Sequence, residues 1–439
     1  MRFPQGRACS RPAVEGCALF LRLVDSPCAS LSHPWHTGDT IETEILSSIA
    51  EVAAQEWDAL VAQDDPFLEH GFLVALESSH SVGAQAGCLP RFVLVRDDGR
   101  LVGAVPLYLK THSYGEFIFD WAWADAACRA GIEYYPKLVA AVPFTPATGE
   151  RLLVLPGASI NEVRSALLLG VRAIADTERV SSVHFLFCTA EEAQFLARGR
   201  DTTYVPRLSL QFHWNNRNEQ PFDDFEDYLS VFKSRHRKQI RKERAVANSY
   251  GLTFRTAGGD ELAAADWQAL QRFYATNVAR HRGIEYLRPA FFDHIRTTYS
   301  HRLVATLAYA GDRPIAGTIS FEKGKHLYGR YWGCDEHYEE LHFELCYHRL
   351  IERAIERRLA HFEAGAQGEH KLKRGLEPQC THSAHWVRHP TLAVAIQRFI
   401  VAERVVVAEQ VTQLSALSPF RMQESCALGG ASQARFSES

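Results

Sequence analysis

The sequence predicts an α/β (α+β) protein built from two similar halves, and three observations predict it. First, a hairpin pattern occurs twice. Phe92–Val95 and Leu101–Leu109 are apolar runs around an Asp97-Asp98-Gly99 turn, and Leu303–Ala310 and Pro314–Phe321 flank Gly311-Asp312-Arg313. Asp-Gly between apolar runs is a strong hairpin signal, because its tight turn needs positive φ. Second, Gly103 and Gly317 fall at matching places in the two return strands, an offset of about 214 residues. A fixed offset of this kind marks internal duplication. Third, each half has helical segments before the hairpin and a long helical or mixed segment after it.

In chain order, Ile45–Ala62 carries apolar residues near helical period (Ile45, Ile49, Val52, Ala53, Leu60) and is expected to be a helix. Asp64-Asp65-Pro66 breaks it, and Phe67–Glu77 is expected to be a second helix. After each hairpin a third strand is expected, Glu116–Trp123 in the first half and His326–Trp332, beyond a Gly324-Lys325 turn, in the second. Alternation along those strands puts Phe119, Trp121 and Trp123 on one face, and Tyr328 and Trp332 on another. His342–His361 has a continuous apolar stripe, from Phe343 through Leu350 and Ile351 to Leu359, opposite Glu352, Arg353, Glu356, Arg357 and Arg358. That stripe predicts one amphipathic helix. A short strand and loop, Phe362–Gly368, follow it. The expected division is an extension over 1–40, a first domain over 41–215, a second over 216–417 and a tail over 418–439.

Size and composition restrict function. The 439 residues suit two domains. Hydrophobic residues make up 46% and charged residues 23%, an ordinary globular balance. A net charge of −4 argues against a general nucleic-acid binder but leaves room for a local basic patch. Ten cysteines include no CxxC pair and twenty histidines no HExxH spacing. No metal site and no disulfide framework are therefore expected, and reduced thiols point to the cytoplasm. No apolar run reaches the roughly 20 residues that span a bilayer. The patch Cys17–Leu21 is interrupted at Arg22 and Asp25, so no signal peptide is expected.

Two stretches carry candidate chemistry. Glu363–Gly375 combines three glycines with Gln367, Glu369, His370, Lys371, Lys373 and Arg374. Backbone N–H groups of such a loop can hold an anion. Glu369 or His370 is placed to take a proton from an attacking amine. Lys371, Lys373 or Arg374 is placed to stabilise charge on a tetrahedral intermediate. The second stretch, Lys233–Arg244, holds seven Lys or Arg in twelve residues. Arg235, Arg237, Lys238 and Arg241 are the expected phosphate binders, and Trp332 is a candidate wall of the substrate cleft. Val142–Gly149, rich in Pro and Thr, is expected to be a rigid loop.

The stretches Pro143–Gly149, Tyr331-Trp332-Gly333-Cys334, Leu341–Glu344, Gly365–Lys371 and Ser383–Trp386 together resemble the FemAB-like peptidoglycan biosynthesis/recognition family of the GNAT acyltransferase superfamily, over about Ile41 to Glu409. The resemblance implies tandem GNAT-like domains. It also implies transfer of an acyl or aminoacyl group onto an amine, in the Fem enzymes from aminoacyl-tRNA to a cell-wall precursor peptide. The family's lysine-bearing motif aligns with Leu372-Lys373-Arg374-Gly375-Leu376, so Lys373 inherits the role of steadying the intermediate. Where that motif has aromatic residues, this chain has Leu372 and Leu376. No tightly bound cofactor is implied; acyl-CoA or aminoacyl-tRNA would serve as donor. The acyl-CoA phosphate loop is missing, since Gly333–Tyr338 reads Gly-Cys-Asp-Glu-His-Tyr. A non-catalytic protein that recognises a wall precursor is the alternative from another class.

Overall fold

The computed structural model describes residues 41–199, 203–281, 283–366 and 368–421. The expected extension over 1–40, nearly all of the expected tail and Gln367 lie outside the described residues.

The first half runs β1 (Ile41–Leu46), α1 (Ala54–Asp58), α2 (His70–Ser78), β2 (Cys88–Pro90), β3 (Phe92–Asp97), β4 (Arg100–Val105), β5 (Leu107–Lys110), α3 (Trp121–Arg129), β6 (Lys137–Ala140), β7 (Leu153–Val154), α4 (Ile160–Thr177), β8 (Ser182–Cys188), α5 (Ala190–Ala197) and β9 (Val205–Asn215). The second half runs α6 (Phe225–Ser230), α7 (Ser234–Asn248), β10 (Thr253–Gly258), α8 (Ala264–Arg280), α9 (Pro289–Thr298), β11 (Leu303–Ala310), β12 (Arg313–Lys323), β13 (His326–Cys334), α10 (Leu341–Phe343), α11 (Arg349–Glu356), β14 (His361–Glu363), β15 (Glu377–Val387) and α12 (Pro390–Ala416).

Both hairpins form where expected. In the first, Asp98 and Gly99 both take positive φ, 48° and 76°, the backbone of the tight hairpin turn. The order antiparallel meander, helix, parallel strand occurs in each half. β11, β12 and β13 form the second meander, and β13 then pairs in parallel with β14. In the first half, β3 pairs with β4, β5 with β6, and β6 in parallel with β8. This is the tandem GNAT-like α/β arrangement. The two halves do not keep separate sheets. One sheet of eleven strands runs β10-β11-β12-β13-β14-β9-β15-β8-β6-β5-β2. The halves exchange their last strands: β9 pairs with β14, while β15 lies between β8 and β9. A four-stranded sheet, β1-β3-β4-β7, holds the rest of the first half. The break falls at Pro106, between β4 and β5, where the missing N–H interrupts the ladder.

Three expectations are corrected. Ile45–Ala62 is not one helix: it begins in β1, paired antiparallel with β3, passes through a 3₁₀ turn at Ile49–Glu51 and is α-helical only over α1. The four- and three-residue spacing of Ile45, Ile49 and Val52 mimics a helical stripe because strand and turn each bury one side. Glu116–Trp123 is no strand; the third strand of the first half is β6, and Trp121 and Trp123 start α3. Trp123 is buried while Phe119 and Trp121 are exposed. His342–His361 is not one regular helix either. A π-helical turn, Glu344–His348, separates α10 from α11, which ends at Glu356. Of the segment read as tail, Phe420 is buried against Phe232, ring centroids 4.7 Å apart.

Candidate active site

β13 and β14 pair over only three residues, His326↔His361 to Tyr328↔Glu363. β14 stops there while β13 continues to Cys334, so the two strands part. The gap is a cavity of about 80 Å³ lined by Thr318, Ser320, Gly329–Trp332, Cys346, Tyr347, Leu350 and Ala364. The π turn supplies Cys346 and Tyr347. One extra residue per turn re-aims side chains, and such turns recur at functional sites.

The segment after β14 begins at Ala364, on the wall of the cavity. Its end, Glu369–Arg374, is a 3₁₀ turn. Gly368 precedes it at φ 116° and Gly375 follows at φ 84°, conformations that an L side chain rarely adopts. In a 3₁₀ turn residues three apart lie on one side. Lys371 and Arg374 share the inner side and are buried, whereas Glu369, His370 and Lys373 are exposed.

Lys371 is therefore the buried lysine of this turn, and Lys373, to which the sequence reading gives the catalytic role, is exposed. Lys371 is 2% exposed, and its Nζ donates to the Gly365 carbonyl at 2.7 Å. Burial pushes its pKa down to about 7, and the charge of neighbouring Arg330 acts the same way, with Cys346 opposing. Lys373 lies toward the basic helix, near His236. Arg374 is an anchor. It grips Glu243 of α7 with Nε and Nη2 at 3.0 and 2.9 Å, and its guanidinium lies 3.4 Å from the Phe343 ring centroid. His348 shares that carboxylate at 3.1 Å. His370 contacts the Tyr347 hydroxyl at 3.1 Å; partial burial and then Arg374 and Lys371 hold its pKa below the usual imidazole range.

Arg330 is the residue that sequence reasoning passed over. Its Nη2 donates to the Phe144 carbonyl at 3.2 Å. Its Nε is buried with no hydrogen-bond partner among the described residues, as is the Ser320 hydroxyl beside it. No carboxylate forms an ion pair with it among the described residues. Strand alternation and the aromatic neighbours Tyr331 and Trp332 were visible in the sequence; the missing counter-ion was not. Trp332 does line the cavity, 5.1 Å from the His342 ring. The loop Val142–Gly149 reaches across from the first half: Phe144 takes φ 57°, stacks on Tyr286 at 4.8 Å, and accepts from Arg330 and Tyr331.

The basic stretch forms α7. Its buried side is Ile240, Glu243 and Ala247, which dock it on the 3₁₀ and π turns. Arg235 and Lys238 are exposed and Arg237 is half-buried. Arg241 is paired with Glu226. Burial raises the Cys346 thiol pKa above the usual thiol range.

The sequence matches the family described as peptidoglycan biosynthesis/recognition, FemAB-like, over residues 48–422. Curated protein sequences give no match. Among solved structures, FemX is similar at 12% identity over 79% of this chain and 98% of its own, with a TM-score of 0.47. The C-terminal domain of a putative lysylphosphatidylglycerol synthetase from Agrobacterium fabrum is similar at 11% identity over 80% of this chain and 96% of its own, TM-score 0.44. A tandem GNAT protein of the clavulanic acid biosynthesis pathway shows 13% identity over 80% and 99%, TM-score 0.41. With a match that spans most of its length, the chain belongs to the FemAB-like peptidoglycan biosynthesis/recognition family.

Proposed function

We propose that the protein is a transferase that moves an acyl or aminoacyl group from an ester or thioester onto an amine, the acceptor being a cell-wall precursor peptide. One observation carries the reading: two cations that form no ion pair among the described residues, half-buried Arg330 and buried Lys371, lie close enough for Arg330 to depress the Lys371 pKa, beside the point where β13 and β14 part. A buried cation without a partner is costly, and an anionic substrate or transition state would compensate it. Arg330 holds the carbonyl oxygen as charge develops on it. Lys371, with a pKa near the working pH, accepts the proton that the attacking amine loses. The new amide bond forms as the carbon–oxygen or carbon–sulfur bond to the donor breaks, and the proton leaves with the donor's alcohol or thiol.

The donor is read as aminoacyl-tRNA before acyl-CoA. The turn after β13 presents Asp335 and Glu336, paired with Arg272 and Arg313, where a CoA enzyme would offer backbone N–H groups to a pyrophosphate. Arg235, Arg237 and Lys238 on α7 supply the cationic surface that a polyanionic donor needs. Glu369, His370 and Lys373 serve at the rim of the site. No membrane-crossing helix exists among the described residues, in keeping with action on a precursor inside the cytoplasm.

The test is incubation of purified protein with labelled aminoacyl-tRNA, or with acyl-CoA in parallel, and a UDP-linked precursor peptide. Mass spectrometry should show a new amide on the peptide. Tight precursor binding without transfer from either donor would support the recognition-protein reading instead.

A further inference from the structure

Three neighbouring strands place a row of polar side chains on one face of the large sheet, beside the catalytic cavity. Register pairs His361 with Asn215 and Glu363 with His213 across β14 and β9. Gln211, His213 and Asn215 alternate onto one face of β9, and His361 and Glu363 onto the same face of β14. The opposite face carries Phe212, Trp214 and Phe362, which are core. No linear spacing links these residues, which is why a search for sequential ligand motifs led to the expectation of no metal site.

The hydrogen bonds around this row leave it short of protons. Gln211 donates its amide nitrogen to the Pro146 carbonyl at 3.1 Å. That turns the amide oxygen toward His213, whose Nε2 donates to it at 2.9 Å. His361 donates from Nδ1 to the Asn215 amide oxygen at 2.7 Å. Each neutral imidazole thus uses its one N–H on an amide, and its other nitrogen carries a lone pair. Glu363, 5% exposed, has only a long contact from the Thr148 N–H at 3.4 Å, and His361 Nε2 at 3.7 Å. One ring nitrogen of each histidine and a Glu363 oxygen lie within 4.8 Å of one another. Imidazoles fixed by second-layer amide oxygens around a buried carboxylate are the arrangement of metal-binding histidines. Tetrahedral zinc with ligand bonds of about 2.0–2.1 Å needs donor atoms roughly 3.4 Å apart, close to the 3.7 Å already present between His361 and Glu363.

We propose that His213, His361 and Glu363 form a zinc site with an open fourth position. Two nitrogens and one carboxylate suit zinc better than magnesium or calcium, which prefer all-oxygen shells. Three protein ligands leave room for water or a substrate group. The site sits at the start of the loop that carries Lys371, so a bound ion would fix that loop's first turn.

The experiment uses the full-length protein, stripped with chelator and titrated with zinc chloride against a chromophoric chelator. One zinc per chain is expected, with a rise in Tm on loading. X-ray absorption should show nitrogen and oxygen neighbours and no sulfur. His361→Ala and Glu363→Gln should weaken binding at least about 100-fold, and Gln211→Ala, which only frees His213 to rotate, about 10- to 100-fold. The more conservative Glu363→Gln and Gln211→Ala carry the test if His361→Ala does not fold. Absence of stoichiometric zinc, affinity unmoved in these variants, or sulfur ligation from the exposed Cys128 and Cys380 would each overturn the proposal.

Discussion

The two halves place the same structural feature, a parallel strand pair after a meander, in opposite electrostatic states. Between β5, β6 and β8 the first half is nearly filled, with a cavity of only about 20 Å³. Its buried cations are fully answered. Lys137 Nζ reaches Glu116 at 2.8 Å and also bonds Asp120 and Ser113, and Lys110 pairs with Glu116 at 3.0 Å. Burial alone would raise the Asp120 pKa, but Lys137 holds it well below the usual carboxylate range. Between β13 and β14 the second half keeps about 80 Å³ open, and among the described residues neither Arg330 nor Lys371 forms an ion pair; each donates to a backbone carbonyl. A duplicated fold can thus devote one copy to stability and leave the other electrostatically incomplete, and the incomplete copy is where a substrate would bind.

The largest expected effect breaks the satisfied copy. Lys137→Met strands two buried carboxylates and should cost about 3–5 kcal/mol in stability, read as a fall in denaturation midpoint. A smaller loss than that of a surface substitution would mean that the network contributes nothing. Next comes Lys371→Ala, which should lower turnover by about 10²–10³ without loss of fold. The size of its effect on stability depends on pH. The folded pKa of about 7 lies below the ordinary value of 10.5, so between these values the unfolded chain binds the extra proton. Lys371 therefore becomes less destabilising as pH rises from about 7 to 10. Relative to the parent, Lys371→Met should gain most at pH 6 and least at pH 10. Equal differences at both pH values would place the lysine in ordinary solvent.

Arg330→Met should raise KM at least about tenfold yet change Tm little, because a half-buried cation that forms no ion pair among the described residues is replaced by an apolar side chain of comparable length. A marked drop in Tm with unchanged KM would make Arg330 structural. The smallest effects are expected at the rim. Lys373→Ala and Glu369→Gln should stay within about twofold of parental turnover and within about 0.5 kcal/mol in stability, since both are exposed.

What the sequence made legible follows the same division. Hairpins were readable because the Asp-Gly turn and alternating apolar runs are local signals. So was the candidate loop after β14, where glycines and charged residues crowd together. Which of Lys371 and Lys373 is buried was not readable, because it depends on the loop's being a 3₁₀ turn, and nothing in Glu-His-Lys-Leu-Lys-Arg distinguishes that from an open loop. The helix read over His342–His361 concealed its π turn for a similar reason, since one inserted residue barely disturbs an apolar stripe. The exchange of β9 and β15 between halves is a long-range pairing with no local signature, and Arg330 became notable only through the lack of a partner.

The most direct test of the account is the pH dependence of kcat/KM for the transfer reaction in the parent, Lys371→Arg and Lys373→Ala. The account predicts a limb that rises through about pH 7 in the parent and in Lys373→Ala, and that disappears with most of the activity in Lys371→Arg, since a guanidinium keeps the charge but cannot accept a proton. Near-parental activity in Lys371→Arg, with the limb intact, would contradict it.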